Sequence, residues 1–119
     1  MQGNNAVNED VLILSKDQDT NSDITLDFAA TKKAAMILRA INHKLRQSII
    51  KLLESNGKLT VTEIYVKLRL EQSVASQHLA ILRKTGIVKT EREGKFIYYS
   101  LDKKRIAKIT KLVDEMIEA

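Results

Sequence analysis

Residues 61–85, VTEIYVKLRLEQSVASQHLAILRKT, carry two helical patterns separated by a short break. The first is a short helix; Thr60 and Glu63 have the spacing of a capping box, in which each side chain bonds the other residue's backbone N–H. Arg69-Leu70 interrupt the pattern, and a second helix is predicted over residues 71–85. A short helix that braces a second one across a tight turn is a helix-turn-helix.

Two further helices precede this segment. Apolar residues recur at three- and four-residue steps from Thr25 to Ile41, accompanied by small alanines that allow another helix to approach closely. A break near Asn42-His43 separates that helix from a second one, which ends at Ser55-Asn56-Gly57.

A β-hairpin and a last helix follow. Strands are predicted at residues 87–90 and 95–101, joined by a turn over Glu91–Gly94 in which the glycine supplies positive φ. The final helix runs from about Asp102, a favourable N-cap, to Glu118. The expected fold is therefore mainly α with a two-stranded β-wing, in the order α-α-α-α-β-β-α, which is a winged helix-turn-helix.

Composition restricts the kinds of site that the chain can build. It has 119 residues, enough for one domain, and only 4% are aromatic, so the core must be aliphatic. The absence of cysteine excludes disulfides, thiolate metal sites and thiol redox sensing. No segment approaches the apolar length of a membrane span, and no signal-peptide pattern is expected at the N-terminus.

The charge is divided unequally along the chain. Residues 1–27 carry one lysine and six acidic residues, a net charge of −5, whereas residues 28–119 carry 19 basic and nine acidic residues, a net charge of +10. We expect residues 1–24 to be a disordered acidic arm and residues 25–119 to form the winged helix-turn-helix domain. A strongly basic domain is typical of proteins that bind a polyanion, although charge also serves solubility alone.

The second helix of the helix-turn-helix has the polar face that a major groove requires. A glutamine such as Gln77 bonds adenine in a bidentate way, serines reach bases or phosphates, and Ala80 allows close approach. The competing interpretation is an ordinary solvated polar face, and His78 is interpreted as partly buried or as a phosphate contact rather than a metal ligand. The candidate DNA-binding residues of this helix are Ser73, Val74, Ser76, Gln77, His78, Ala80, Arg83 and Lys84.

The hairpin is a second candidate for DNA contact. Lys89, Arg92 and Lys95 can enter a minor groove or follow the phosphates. A charged surface turn is nearly as good an interpretation, since Glu91 and Glu93 weaken the positive potential there.

No catalytic or metal-binding constellation is evident. The sequence has no glycine-rich phosphate loop, no HExxH motif and two histidines far apart, so we expect no enzyme activity, no metal and no cofactor.

With these motifs in place, the sequence resembles the ArsR/SmtB family of bacterial winged-helix repressors over residues 28–117. The resemblance rests on the run Ser-x-x-Ser-x-His-Leu-x-x-Leu-Arg-x-x-Gly-Ile-Val from Ser73 to Val88 and on Gly-Lys-x-x-x-Tyr-x-Leu from Gly94 to Leu101. It implies a cytoplasmic homodimer, held by the first and last helices, that binds an imperfect palindrome in double-stranded DNA. It also implies repression relieved by an effector, with Ser73, Ser76 and Gln77 facing the major groove.

The sensing residues of the family are missing. Metal-sensing members often carry a Cys-x-Cys pair where this chain has Thr60 and Thr62, and another common site lies on the last helix, which here begins with the cationic run Lys103-Lys104-Arg105. The effector, if the protein has one, is then neither a thiolate-bound metal nor an oxidant of a thiol, and the sequence leaves it unknown.

A different class of function stays open at this point. The same winged helix can serve as a protein–protein interaction module, with the acidic arm covering the basic face of the same chain. Deletion of residues 1–24 distinguishes the two, because a gain in DNA affinity supports an electrostatic brake on a DNA-binding protein.

Overall fold

The computed structural model describes residues 11–17 and 22–118 of the chain. Within them the helices are α1 (Phe28–Ile41), α2 (Lys44–Asn56), α3 (Val61–Leu68), α4 (Gln72–Lys84) and α5 (Lys103–Ile117). The strands are β1 (Val11–Asp17), β2 (Ser22–Asp27), β3 (Lys58–Thr60), β4 (Val88–Glu93) and β5 (Phe96–Leu101). The mainly helical winged helix-turn-helix expected from the sequence is confirmed.

The chain divides into two compact units, Met1–Leu38 and Arg39–Ala119, so the boundary falls inside α1. In the first unit β1 and β2 pair antiparallel, with Leu12 opposite Leu26 and an irregularity between Ile13 and Lys16. Asp27 then begins α1, since its Oδ1 accepts a hydrogen bond from the backbone N–H of Ala30 at 3.0 Å.

This hairpin differs from the disordered arm that we expected over residues 1–24. The residues of β1 and β2 are strands, because apolar residues such as Leu12, Ile13, Ile24 and Leu26 give each segment β-forming character. The rest of the predicted arm, residues 1–10 and 18–21, lies outside the described residues.

The core of the second unit is aliphatic, as the composition predicted. Side chains from the end of α1, from α2, α3 and α4, and from all three strands of that unit form it, and less than a tenth of each is exposed to solvent. The largest of those that are almost fully buried are Ile49, Leu53, Ile64, Leu79, Leu82 and Ile87. This core fixes α2, α3 and α4 against each other.

The sheet of the second unit has three strands in the order β3-β5-β4, one more than the predicted wing. Lys58–Thr60 pair antiparallel with Tyr98–Ser100 of β5, and Leu59 is buried at that point. Three residues are too few to show an alternating pattern, so sequence reasoning missed this strand. The predicted turn was also misplaced, because β4 continues to Glu93 and the loop is Gly94-Lys95, with Gly94 at φ +64°.

Caps predicted from the sequence are present. Thr60 and Glu63 form both bonds of the capping box at the start of α3, and Asp102 Oδ1 accepts from the N–H of Arg105 at the start of α5. No helix in the described part of the chain has the length and apolar character needed to cross a membrane.

Candidate nucleic-acid interface

Helix α4 has one side buried against the core and an exposed side of small polar residues. Ala75, Leu79 and Leu82 are buried, so they hold one side of the helix against the core. Among the predicted contact residues of α4, Val74 and His78 are half-buried. The others are exposed on this helix: Ser73, Ser76, Gln77, Ala80, Arg83 and Lys84.

Helix α3 and a tight turn set the direction of α4. Ile64 of α3 is fully buried, and Leu70 N–H donates to Tyr65 O at 2.8 Å as the chain leaves the helix. Arg69 completes the turn in a left-handed conformation at φ +56°, which is uncommon for a residue other than glycine. Glu71 lies at the N-cap of α4 without a side-chain capping bond, so the first N–H groups of α4 keep their positive partial charge.

His78 is half-buried, and its ring contacts residues of α2 and of the junction before α2. Its Nδ1 lies 3.1 Å from Nη1 of Arg46 in α2, and its ring lies 4.8 Å from that of His43. Burial, followed by His43 and Arg46, lowers the pKa of His78 below its ordinary value of 6.5. Of the two interpretations made from the sequence, partial burial is the one observed.

Of the three predicted cations of the wing, Arg92 and Lys95 lie near its tip, whereas Lys89, opposite Ser100, lies near its base. Lys89 and Arg92 lie on β4 and Lys95 lies in the loop, and all three are exposed. Arg92 Nε donates to Gly94 O at 3.1 Å, and Lys95 Nζ lies 5.4 Å above the ring of Phe96. The cationic groups of Arg92 and Lys95 are therefore held beside the loop.

Sequence reasoning missed Lys58 and Tyr99. Lys58 of β3 forms an ion pair with Glu93, and this hydrogen bond raises the pKa of Lys58. Tyr99 of β5 lines a groove with residues of α4, among them Ser76, Arg83 and Lys84. Lys58 lies just before α3 and Tyr99 lies beyond the hairpin loop, and the pairing of β3 and β4 with β5 brings them to this surface.

Among the described residues, no three His, Cys, Asp or Glu side chains cluster in a way that could hold a metal ion. Thr60, at the position of the missing cysteines, uses its hydroxyl to accept the N–H of Glu63 at 3.2 Å.

Comparison with known proteins identifies the kind of protein that shares this arrangement. Residues 43–90 match the family described as "Bacterial regulatory protein, arsR family". An uncharacterised HTH-type transcriptional regulator of Methanocaldococcus jannaschii is 42% identical over 71% of this chain and 96% of its own length.

Two solved structures agree with this match. The transcriptional repressor PagR of Bacillus anthracis is 33% identical, with a TM-score of 0.59 over 72% of this chain and 99% of that one. The regulator HlyU of Vibrio vulnificus is 37% identical, with a TM-score of 0.55 over 76% of this chain and 93% of that one. The relatives are transcriptional regulators, so the protein-interaction module is not favoured.

Proposed function

Because the chain belongs to the ArsR family and is a DNA-binding transcriptional regulator, we propose that α4 reads base edges in the major groove of an operator while the wing contacts the neighbouring backbone. One observation carries this proposal: α4 is fixed by buried apolar residues on one side and leaves Ser73, Ser76 and Gln77 exposed on the other. A rigid helix with short hydrogen-bonding side chains fits the width of the major groove.

The individual contacts follow from the lengths of the side chains. Gln77 bonds an adenine edge, Ser73 and Ser76 bond bases or phosphates, and Ala80 approaches a thymine methyl group. Arg83 and Lys84 reach the sugar-phosphate backbone from the last turn of α4. Val74 and His78 lie at the half-buried border of the same face.

The wing supplies contacts that do not depend on sequence. Lys89 is exposed near the base of the hairpin and Arg92 and Lys95 are exposed beside its loop, and these cations neutralise phosphates or enter the minor groove. Each phosphate contact releases condensed counterions, so binding weakens steeply as salt rises.

We further propose a homodimer formed through α1 and α5 that binds an imperfect palindrome. Helix α5 buries none of its residues, and Leu112, Met116 and Ile117 are more than half exposed on it. A second copy covers such an apolar stripe and places two α4 helices about one helical turn of DNA apart, or a multiple of it. The dimer acts in the cytoplasm as a repressor whose effector is not a thiolate-bound metal.

Selection of bound sequences from a randomised duplex pool, at moderate salt and pH 8, tests the proposal. We expect enrichment of an inverted repeat with half-sites about 10 base pairs apart, or a multiple of that spacing. Binding that is salt-sensitive but shows no enrichment would contradict sequence-specific reading.

A pair of variants sharpens this test. The triple variant Ser73→Ala, Ser76→Ala and Gln77→Ala removes the reading face and should abolish enrichment while leaving bulk DNA binding. The control Ser48→Ala removes an exposed α2 hydroxyl that bonds only its own helix, at Lys44 O, and should enrich the same repeat as the unmodified protein.

A further inference from the structure

Arg46 is a buried cation whose partners are all uncharged. It is the one charged side chain that is buried among the described residues, with 8% of its surface exposed. Its Nε donates to Ala40 O at 2.6 Å and its Nη2 donates to Arg39 O at 3.3 Å. Both carbonyls belong to the last turn of α1, where helix carbonyls lack partners within the helix and carry negative partial charge. These two bonds fix the position of the guanidinium.

The third bond of Arg46 reaches α4. Nη1 lies 3.1 Å from Nδ1 of His78, next in sequence to Gln77. A guanidinium only donates hydrogen bonds, so Nδ1 of His78 must accept, which requires a neutral ring with its proton on Nε2. If Nδ1 also carried a proton, its N–H would point at the N–H of Arg46. The ring would then be positively charged and would lie beside the buried guanidinium.

The surroundings of His78 offer nothing to balance that charge. The ionisable groups that act on it are Arg46 from α2 and His43 from the junction before α2, and both disfavour the protonated ring. No carboxylate of α3, α4, β4 or any other described element is among the groups that shift its pKa. The neighbouring His43 is itself held in place, because its Nδ1 accepts the N–H of Leu45 as the N-cap of α2.

We propose that the Arg46–His78 hydrogen bond positions α4 for DNA reading, and that protonation of His78 breaks it, so that sequence-specific binding is lost on acidification. Arg46 and His78 are positioning residues in this scheme, and the inference rests on the proposed reading role of α4. The coupling opposes the usual trend, since added positive charge on a protein strengthens its attraction to phosphates. Specific and non-specific affinity should therefore change in opposite directions as the pH falls.

The ratio of the two affinities tests the coupling. Fluorescence anisotropy at constant ionic strength, from pH 8 to pH 5.5, would compare the selected duplex with a scrambled duplex of the same composition. In the unmodified protein we expect the ratio to fall by about tenfold or more, the usual contribution of one hydrogen bond to a charged group. Non-specific affinity should stay level or rise.

Two variants assign the effect to His78. His78→Asn places an amide oxygen close to the position of Nδ1, keeps an acceptor for Arg46 and does not titrate, so its ratio, whatever its value at pH 8, should not fall as the pH drops. His43→Asn removes the neighbouring imidazole ring but keeps a favoured N-cap residue, and should retain the fall. A fall in His78→Asn equal to that of the unmodified protein would overturn the proposal.

A second measurement is independent of DNA and of any variant. The ¹⁵N shifts of the His78 ring in the unmodified protein should show an unprotonated Nδ1 and a protonated Nε2 at pH 8; the opposite tautomer would overturn the proposal. No discrimination between the duplexes at pH 8 would refute the proposed function and the coupling with it. Discrimination that is present at pH 8 and unchanged at a pH where the ¹⁵N shifts show the His78 ring to be protonated would refute the coupling alone.

Discussion

Lys58 reaches across the central strand of the sheet to form an ion pair with Glu93 at the end of β4. Its ammonium lies 4.8 Å above the ring of Tyr98 on the intervening strand, so the contact joins β3, β5 and β4. The pair neutralises one of the two carboxylates that weaken the positive potential of the wing. Glu91 is the other.

Loss of Lys58 should therefore weaken DNA binding without changing its specificity. Lys58→Met leaves Glu93 uncompensated beside the wing cations, and we expect a reduction of a few-fold in affinity for all duplexes alike at low salt, shrinking as salt is added. Anisotropy titrations measure it, and the double variant Lys58→Met/Glu93→Gln should regain the lost affinity. Lys51→Met, which removes the same charge from α2, is the control; an equal loss there would show that net charge alone matters.

Gln77 and Arg92 should separate base reading from phosphate contact. Gln77→Ala should relax discrimination at one base pair per half-site by about 1–3 kcal/mol, because a bidentate contact is lost. Arg92→Ala should weaken all sequences equally and reduce the log–log salt slope by about one contact. Competition titrations with single-base operator variants measure both. If both variants weaken every sequence equally, the reading face lies elsewhere.

A side chain at Gly86 should cost more stability than one at Gly57. It lies at φ +81°, and a Cβ there would be 3.1 Å from Nε of Arg105, whose buried Nε has no hydrogen-bond partner within the described residues. Gly57, at φ +82° with open space around it, is a matched control. We expect Gly57→Ala to lower the free energy of unfolding by about 1–3 kcal/mol through backbone strain, and Gly86→Ala to lower it further.

Urea unfolding measures this difference, and the Arg105→Ala background isolates its cause. In that background Gly86→Ala should cost no more than Gly57→Ala does. A penalty at Gly86 that is unchanged without the Arg105 side chain would show that the crowding is not the reason.

Leu112 should be needed for assembly and for DNA binding. Leu112→Glu places a charge in the exposed apolar stripe of α5 and should convert the dimer to monomer, since burying an unpaired carboxylate is costly. Sedimentation velocity measures the mass, and specific DNA affinity should fall with it. The control Lys111→Glu changes the net charge by twice as much as Leu112→Glu does, but on the opposite side of α5. If the dimer of this control also dissociates, an apolar interface is contradicted.

Stability should fall on mild acidification because of His78. Its folded-state pKa lies below its ordinary value of 6.5, so within that interval the unfolded chain binds the proton more readily. The free energy of unfolding should be highest above pH 6.5 and decrease as the pH drops through the interval. Urea unfolding between pH 8 and pH 5 measures the slope, and His78→Asn should be less pH-dependent than the unmodified protein. Equal slopes would contradict the assignment.

Elements whose cause is local were predictable. The Thr60–Glu63 capping box needs only two side chains three residues apart, and the helical period of α2 and α4 is set by residues within a few turns of each other. The N-terminal hairpin was missed although its causes are local too, because the apolar residues of β1 alone were not weighed against a partner strand. Strand β3 was missed for a different reason, since Leu59 is held by pairing with Tyr99, which is distant in sequence.

The same division applies to the candidate site. The sequence by itself determined which side chains α4 exposes, because the apolar stripe of a helix dictates the opposite face. Only the tertiary structure decided which residues join that face from elsewhere: Tyr99 beside α4, Lys58 against the wing, and Arg46 beneath His78. Helical periodicity is a property of residues that are neighbours in sequence. The contacts of Tyr99, Lys58 and Arg46 depend instead on the packing of helices and strands that are distant in sequence. The hydrogen bond between Arg46 and His78, for example, forms only when α2 and α4 pack together.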